Sequence, residues 1–160
     1  MAKKVPATTR FSDAAKQLGF VPDVVRFPAD TRTAEQAAGA LGCVVDQIVK
    51  SLVFRTPDGP LLVLTSGANV VDVEALGDAA GVEPGRADAA EVRVATGFAI
   101  GGVPPFGHPE RHRTIIDPHL CTFPTVWAAA GAPDSVFEIA ASRLVELTAA
   151  EQLDCFVPST

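Results

Sequence analysis

Two apolar segments near the middle of the chain carry its clearest pattern. Residues 48–54 (IVKSLVF) and 61–65 (LLVLT) are rich in valine, leucine and isoleucine, which favour strands. The segment TPDGP between them contains the proline, aspartate and glycine typical of a turn. The pattern therefore predicts a β-hairpin.

Helices are predicted where a capping residue precedes an apolar or alanine-rich segment and a glycine follows it. Thr33 with Gln36, and Asp88 with Glu91, have the spacing of a capping box. Strands in hairpin-like succession with inserted helices indicate an α/β fold of the α+β kind, with a mixed, largely antiparallel sheet flanked by helices. The predicted helices are residues 10–18, a segment from Thr33 to Gly42, residues 72–80, a segment after Asp88 and residues 142–153; the further strands are residues 24–27, 114–116, 125–129 and 136–139.

Length and composition indicate a single domain over residues 1–160. The chain is 48% hydrophobic, with no internal repeat and no linker-like segment. Its three cysteines, Cys43, Cys121 and Cys155, are scattered, so neither a disulfide framework nor a zinc site is predicted, and no cofactor is expected. The first residues contain no apolar signal region, and no apolar run reaches about 18 residues. We therefore expect a soluble, cytoplasmic protein with no membrane partner.

The charge balance limits the classes of partner. The net charge is −6, which argues against broad, non-specific binding to nucleic acid, DNA included. A local basic rim around one mouth stays open, because arginine and histidine gather in residues 109–113, with further arginines at positions 26, 32, 86 and 93. These residues can equally be ordinary solvated charges.

Lys50 is the first unusual residue, because it lies in an otherwise apolar strand. Strand alternation places it on the same face as Leu52 and Phe54. A buried ammonium group is costly unless it meets an anion or hydrogen-bond acceptors. Lys50 therefore pairs with a buried carboxylate, extends to solvent at the strand end, or holds a negative group of a ligand.

A glycine-rich loop, residues 96–107 (TGFAIGGVPPFG), is the second unusual feature. Glycines let the backbone approach a ligand and prolines stiffen the loop, so it is either a cradle of N–H groups or a tight structural turn. No phosphate-binding glycine motif is present. Asp117, before Pro118, is typical of a carboxylate near a site at a sheet edge and equally of an Asx turn. The three histidines, at positions 108, 112 and 119, lie in a proline-broken stretch, which does not favour a metal site.

In order along the chain, several segments resemble the YbaK family, the domains associated with prolyl-tRNA synthetase that deacylate mischarged tRNA. The resemblance extends from residues 27–28 to the final predicted helix. Its matching segments are residues 32–38 (RTAEQAA), residues 47–54 (QIVKSLVF), Thr96-Gly97, the loop Gly101-Gly102-x-x-Pro105-Phe106-Gly107, and Ile115-Ile116-Asp117.

The resemblance implies a sheet curled around a pocket, with Lys50 and the loop from Gly101 to Pro105 beside the aminoacyl end of a tRNA. The implied reaction is hydrolysis of the ester between an amino acid and the terminal ribose, without a protein nucleophile. The implied catalytic groups are Lys50 as an electrostatic anchor, or alternatively as the general base, and the N–H groups of Gly101 and Gly102 as donors to the oxyanion. The implied substrate-binding residues are Thr96, Phe98, Ile100, Pro105, Phe106 and Asp117, of which Phe98, Ile100 and Phe106 are expected in the pocket wall.

The family removes small amino acids such as alanine, cysteine and serine from tRNA, so the expected partners are the 3′ end of an aminoacyl-tRNA and a prolyl-type synthetase. Two rival interpretations remain. One is a non-catalytic module that binds a nucleotide or an aminoacyl-adenylate-like ligand. The other is a synthetase-docking domain whose phenylalanine-rich loop is an exposed patch. An open pocket beside Lys50 would argue against the second.

Overall fold

The predicted hairpin is the longest strand pair in the structure, a computed structural model that describes residues 5–28, 31 and 33–159. Strands β2 (Val49–Thr56) and β3 (Gly59–Ser66) pair antiparallel along their whole length, from Val49 opposite Ser66 to Thr56 opposite Gly59. Pro57 and Asp58 form the turn between them. The hairpin prediction is confirmed.

The hairpin forms the centre of a five-stranded mixed sheet in the order β5-β2-β3-β6-β9. Strand β6 runs parallel to β3, and β9 runs parallel to β6. A second, antiparallel sheet has the order β1-β8-β7, and β4 pairs with β10. A bridge between Ile48 and Trp127 connects the first two sheets. The remaining strands are β1 (Val25–Arg26), β4 (Asn69–Val71), β5 (Gly85–Arg86), β6 (Arg113–Ile116), β7 (Thr125–Ala129), β8 (Ser135–Ala140), β9 (Glu151–Gln152) and β10 (Phe156–Pro158).

The helices after Thr33 and Asp88 begin at the predicted capping residues, whereas the first helix spans Ala7–Gln17 in place of the predicted residues 10–18 and has no side-chain cap. Thr33 and Gln36 form a complete capping box, as do Asp88 and Glu91. Gly42 ends one helix in the left-handed conformation, with φ of 71°. The mixed α/β fold predicted from the sequence is confirmed. The helices are α1 (Ala7–Gln17), α2 (Ala34–Leu41), α3 (Val73–Ala80), α4 (Ala89–Thr96) and α5 (Ala141–Thr148), with 3₁₀ turns at Val45–Gln47 and Pro118–Thr122.

The last helix is shorter than predicted. The sequence predicted residues 142–153, whereas α5 ends at Thr148 and Ala149 adopts a positive φ of 53°. Glu151 and Gln152 instead form β9 beside β6, where the Arg113 guanidinium donates to both carboxylate oxygens of Glu151 at 2.7 and 3.0 Å. The helix ends early because the following residues form the β6–β9 strand pair and the Arg113–Glu151 ion pair. Local helix propensity contains no information about either contact.

Both faces of the hairpin are covered, which explains its nearly continuous apolar sequence. Val49, Leu62 and Leu64 pack in a large core with Phe11 and Phe137. Phe54, Leu61 and Val63 pack on the opposite side with Leu76 of α3 and Ile115 of β6. No helix in the described part of the chain is long and apolar enough to span a bilayer.

The turn after β3 depends on Gly67, which gives a testable consequence. An added Cβ at Gly67 would lie 2.5 Å from the carbonyl oxygen of Val45, so Gly67→Ala must displace backbone. We expect a loss of about 1–3 kcal/mol in the free energy of unfolding. Gly39→Ala in α2 is the matched control, because a Cβ added there would have nothing within 4 Å; it should gain about 0.5–1 kcal/mol. Urea unfolding measures both, and equal effects would contradict this role for Gly67.

Candidate functional site

A cavity of about 630 Å³ opens along one edge of β2. Strand β5 pairs only with Phe54 and Arg55, so among the described residues the preceding part of β2 has no neighbouring strand on that side beyond the bridge at Ile48. The cavity is lined by residues 48–54 together with parts of α2, β4, β5, β7 and the loop at residues 100–103. Its volume lies in the range of small-molecule sites.

Lys50 lines this cavity and is half-buried. Its Nζ donates to the main-chain oxygen of Asn69 at 2.6 Å, and no described carboxylate forms an ion pair with it. Burial lowers the pKa of Lys50, against the opposing influence of the Glu35 and Asp117 carboxylates. Of its neighbours on the same strand face, Phe54 is buried but Leu52 is 36% exposed. One N–H of the Lys50 ammonium group therefore donates to a carbonyl, and the other N–H groups can donate to a ligand.

Asp117 holds the acceptor of Lys50 in place. Its Oδ2 accepts from the Asn69 side-chain amide at 2.8 Å and from the Ser66 N–H at 3.2 Å. Its Oδ1 accepts from the His119 N–H at 2.9 Å, which caps a 3₁₀ turn. Both interpretations of Asp117 are therefore realised, at the end of β6 and in a turn, but the buried carboxylate does not line the cavity. It supports Lys50 through Asn69.

Gly101 lies at the cavity with a positive φ of 90°. None of the described residues accepts a hydrogen bond from its N–H. Its neighbour Gly102 differs, because the Gly102 N–H donates to the Ala99 carbonyl at 2.9 Å and an added Cβ would lie 2.8 Å from Cα of Ala132. The expectation of two adjacent free donors is therefore corrected to one, Gly101, with Gly102 packed against the neighbouring backbone.

Four other residues of the predicted site belong to the same loop and are packed in the protein interior. Thr96 is fully buried, and its hydroxyl donates to the Val92 carbonyl and accepts from the Phe98 N–H. Phe98 and Phe106 are 2% and 6% exposed, and Pro105 is also buried. None of the four lines the large cavity. The expectation that Phe98 and Phe106 form the pocket wall is corrected: they position the loop, while Ile100, 57% exposed, borders the cavity.

The burial of the two phenylalanines also bears on one rival interpretation. The ring of Phe106 contacts the rings of Phe11, Phe20 and Phe137, and the Arg10 guanidinium lies 4.8 Å from the ring centroid of Phe98. Neither ring is available to a partner protein. The interpretation of this loop as an exposed phenylalanine patch is wrong.

The described residues that line the cavity include no acidic group, although the protein is acidic overall. Among the described residues that line it, Lys50 and Arg86 are the ionisable ones; no carboxylate, imidazole or thiol is present. Most of the expected basic rim lies elsewhere: Arg26 pairs with Asp134, and Arg111 faces a separate cavity of about 190 Å³. Arg32 lies outside the described residues. Chemistry in the large cavity therefore depends on Lys50, hydroxyl groups, backbone N–H groups and the ligand itself.

Ser51 and Trp127 line this cavity but were not predicted as site residues. Ser51 follows Lys50, and its Oγ is buried with no described partner. Trp127, the single tryptophan, lies in β7 between the buried residues Val126 and Ala128. Its isolation in a strand of small residues was a visible signal, but only the bridge to Ile48 places it at the site.

Comparisons with known proteins bear on the family and the fold. A family model described as "Aminoacyl-tRNA editing domain" matches residues 28–147. The chain is 33% identical to the uncharacterized protein YwhH of Bacillus subtilis (strain 168) over 127 residues, which are 79% of this chain and 81% of YwhH. A crystal structure described as that of a proposed trans-editing enzyme for prolyl tRNA synthetase is 42% identical, with a TM-score of 0.90 over 96% of this chain and 98% of that one. The hypothetical protein APE2540 is 28% identical, with a TM-score of 0.82 over 92% and 99% of the two chains.

The support of Lys50 by Asp117 can be tested through stability. Asp117→Asn replaces one acceptor oxygen by an NH₂ group that faces donors, because both carboxylate oxygens accept N–H groups. We expect a loss of about 1.5–3 kcal/mol in the free energy of unfolding. Asp13→Asn, at an exposed position of α1, is the control and should change little. Equal stability of the two variants in urea unfolding would rule out this role for Asp117.

Proposed function

The chain belongs to the aminoacyl-tRNA editing domain family, and on that premise we propose that it hydrolyses the ester of a mischarged aminoacyl-tRNA as a free-standing, trans-acting deacylase. The observation that carries this proposal is the cavity itself. It combines Lys50 with the unpaired N–H of Gly101 and, among the described residues, offers no nucleophilic thiol, imidazole or carboxylate. A site of this composition suits a reaction in which the substrate and water supply the reacting groups.

The proposed reaction needs only water and the ester. Water adds to the carbonyl carbon, and the carbonyl oxygen becomes an oxyanion. The bond from that carbon to the ribose oxygen then breaks, and a proton derived from water ends on the ribose oxygen. A neighbouring ribose hydroxyl can position the water, while the Gly101 N–H donates to the oxyanion as charge develops. The products are the free amino acid and uncharged tRNA.

In this proposal Lys50 acts as a charged anchor. One of its N–H groups is held by the Asn69 carbonyl, which fixes the direction of the ammonium group. The remaining N–H groups can meet the terminal phosphate or ribose of the tRNA. Its partial burial strengthens that attraction, because charges interact more strongly away from water. The alternative role, general base, requires a neutral amine and predicts the opposite pH dependence.

Substrate selection in the proposal follows size exclusion. The cavity wall beside Gly101 is apolar, with Ile100, Val103 and Pro133 among its lining residues. The loop that carries this wall is held by four of its own residues that pack in the protein interior, so the wall is stiff. They are Thr96, Phe98, Pro105 and Phe106. A stiff apolar wall admits a small side chain and rejects a larger one. Alanine, serine and cysteine attached to tRNA-Pro or a related tRNA are the proposed substrates.

The proposed partners are the 3′ end of the aminoacyl-tRNA and a prolyl-type synthetase. With a net charge of −6, the protein has little general affinity for RNA, so it would recognise the unpaired end or gain affinity by docking on the synthetase. Because aminoacyl-tRNA is consumed in translation, the proposal places the protein in the cytoplasm, without a role on membranes or DNA.

The decisive experiment is a deacylation panel of alanyl-, cysteinyl- and seryl-tRNA-Pro, with prolyl-tRNA-Pro as the correctly charged control. We expect selective release of a small amino acid by the wild type. Lys50→Gln should lose at least about 100-fold in kcat/KM, as expected when an electrostatic donor is removed. Lys50→Arg retains the charge and should keep measurable activity.

Melting temperatures of both Lys50 variants are measured alongside, so that lost activity is separated from lost folding. A folded Lys50→Gln variant with full activity would contradict the anchor role. Absence of release from every substrate, also in the presence of a prolyl-type synthetase, would instead favour the non-catalytic binding module.

The pH dependence separates the two roles of Lys50. Burial lowers the pKa of its ammonium group in the folded protein, so it loses its proton at a lower pH than a free lysine at about 10.4. If Lys50 is a charged anchor, blank-corrected kcat/KM must fall as the pH rises through that lowered pKa. Lys50→Arg, which stays charged, must lack the fall. A rise in wild-type activity over the same range, abolished in Lys50→Arg, would identify Lys50 as the base.

A further inference from the structure

One face of β2 aligns Lys50 with two groups to which no role has been given. Paired residues on neighbouring strands direct their side chains to the same face, and residues two apart on one strand share a face. Trp127 is opposite Ile48, and Arg86 is opposite Phe54. The side chains of Trp127, Lys50 and Arg86 therefore lie on one face, with Lys50 between the other two. All three line the large cavity.

The length of this face fits the last few nucleotides of an RNA strand, because it exceeds the span of a single nucleotide. Ile48 and Phe54 are six residues apart, which corresponds to about 20 Å of strand, and Lys50 lies about 7 Å from Ile48. Leu52, partly exposed, provides apolar surface between Lys50 and Arg86. If the terminal base of an RNA lies on Trp127, its ribose and phosphate come near Lys50, and the phosphate of a preceding nucleotide comes near Arg86.

Trp127 has the properties of a stacking surface. Its side chain is partly exposed, although the adjacent residues Val126 and Ala128 are buried. Its indole contacts no other aromatic ring among the described residues. Aromatic side chains that stack single-stranded bases present a free ring face next to a cation in this way.

Arg86 is the cation at the other end of the face. It is exposed and forms no ion pair with any described carboxylate, whereas its neighbour Arg55 is paired with Glu91 at 3.2 Å. No described acidic residue lines the cavity to compete for it. A guanidinium that has no described ion-pair partner, at the rim of a cavity whose described lining contains no acidic group, suits a phosphate.

We propose that Trp127 and Arg86 bind the 3′ end of RNA, with the terminal adenine stacked on the Trp127 indole and the phosphate of a preceding nucleotide on Arg86. This inference rests on the proposed function and adds to it the residues that recognise the RNA end. It assigns them binding and positioning roles, since neither side chain has to reach the ester.

The test uses the trinucleotide CpCpA, which has no ester and is independent of deacylation. Because Trp127 is the single tryptophan, its fluorescence reports binding at this position. We expect saturable quenching by CpCpA and at least about 5-fold weaker binding by CpCpC, because a purine stacks over more ring area.

Arg86→Gln should weaken CpCpA binding at least about 5-fold. It should also reduce the slope of log affinity against log salt concentration by the amount expected for about one phosphate contact. Arg93→Gln is the control, because Arg93 is exposed, unpaired among the described residues and outside the cavity.

Substitutions of Trp127 give the kinetic arm. Trp127→Leu should raise KM for aminoacyl-tRNA about 5- to 10-fold with kcat within about twofold, and Trp127→Phe should restore most of the affinity. A folded Trp127→Leu variant with unchanged KM, or no quenching in the wild type, would overturn the proposal. Quenching without any deacylation would overturn the proposed function and leave the nucleotide site standing, whereas deacylation without quenching would do the reverse.

Discussion

The hydrogen bond from Lys50 to the Asn69 carbonyl is the interaction around which the site is organised. It joins the open edge of β2 to Asn69 at the start of β4, and the buried Asp117 fixes that segment by accepting from the Ser66 N–H and the Asn69 side-chain amide. A lysine in an apolar strand is costly unless its donors are satisfied. Here one donor is satisfied by a neutral acceptor, which holds the charge in place without neutralising it. The remaining N–H groups of the ammonium can therefore donate to a ligand, which the proposed function takes to be anionic.

The same edge of β2 explains why the cavity is where it is. Val49 and Phe54 of β2 are buried in opposite apolar cores, which hold the strand rigidly, whereas residues 50–53 between them are only partly covered. Strand β5 covers only its end, which leaves residues 49–53 beside open space. A strand edge exposed within a protein offers backbone groups as well as side chains to a ligand. The site thus combines a rigid support with unpaired polar groups.

The distribution of charge is consistent with the proposed RNA substrate. Acidic residues outnumber basic ones by 19 to 13, yet no described carboxylate lines the cavity. The surface therefore disfavours long stretches of RNA, while Lys50 and Arg86 in the cavity favour a negatively charged ligand. Under the proposed function, weak general affinity is an advantage, because correctly charged tRNA would be released quickly and only an end that fits would be held.

The sequence by itself determined the hairpin, the capped helices and the family, because strand composition, capping spacings and ordered motifs are local signals. The same signals identified Lys50 and the loop at Gly101 as candidate site residues. The sequence did not determine the short α5, since the pairing of Glu151 with Arg113 is a long-range contact. Nor could it separate Gly101 from Gly102, because the N–H of Gly102 is taken up by the folded turn. Only the tertiary structure moved Phe98 and Phe106 from the pocket wall into the core and brought Trp127 and Arg86 beside Lys50. Those placements depend on strand pairing between distant segments, which no local pattern records.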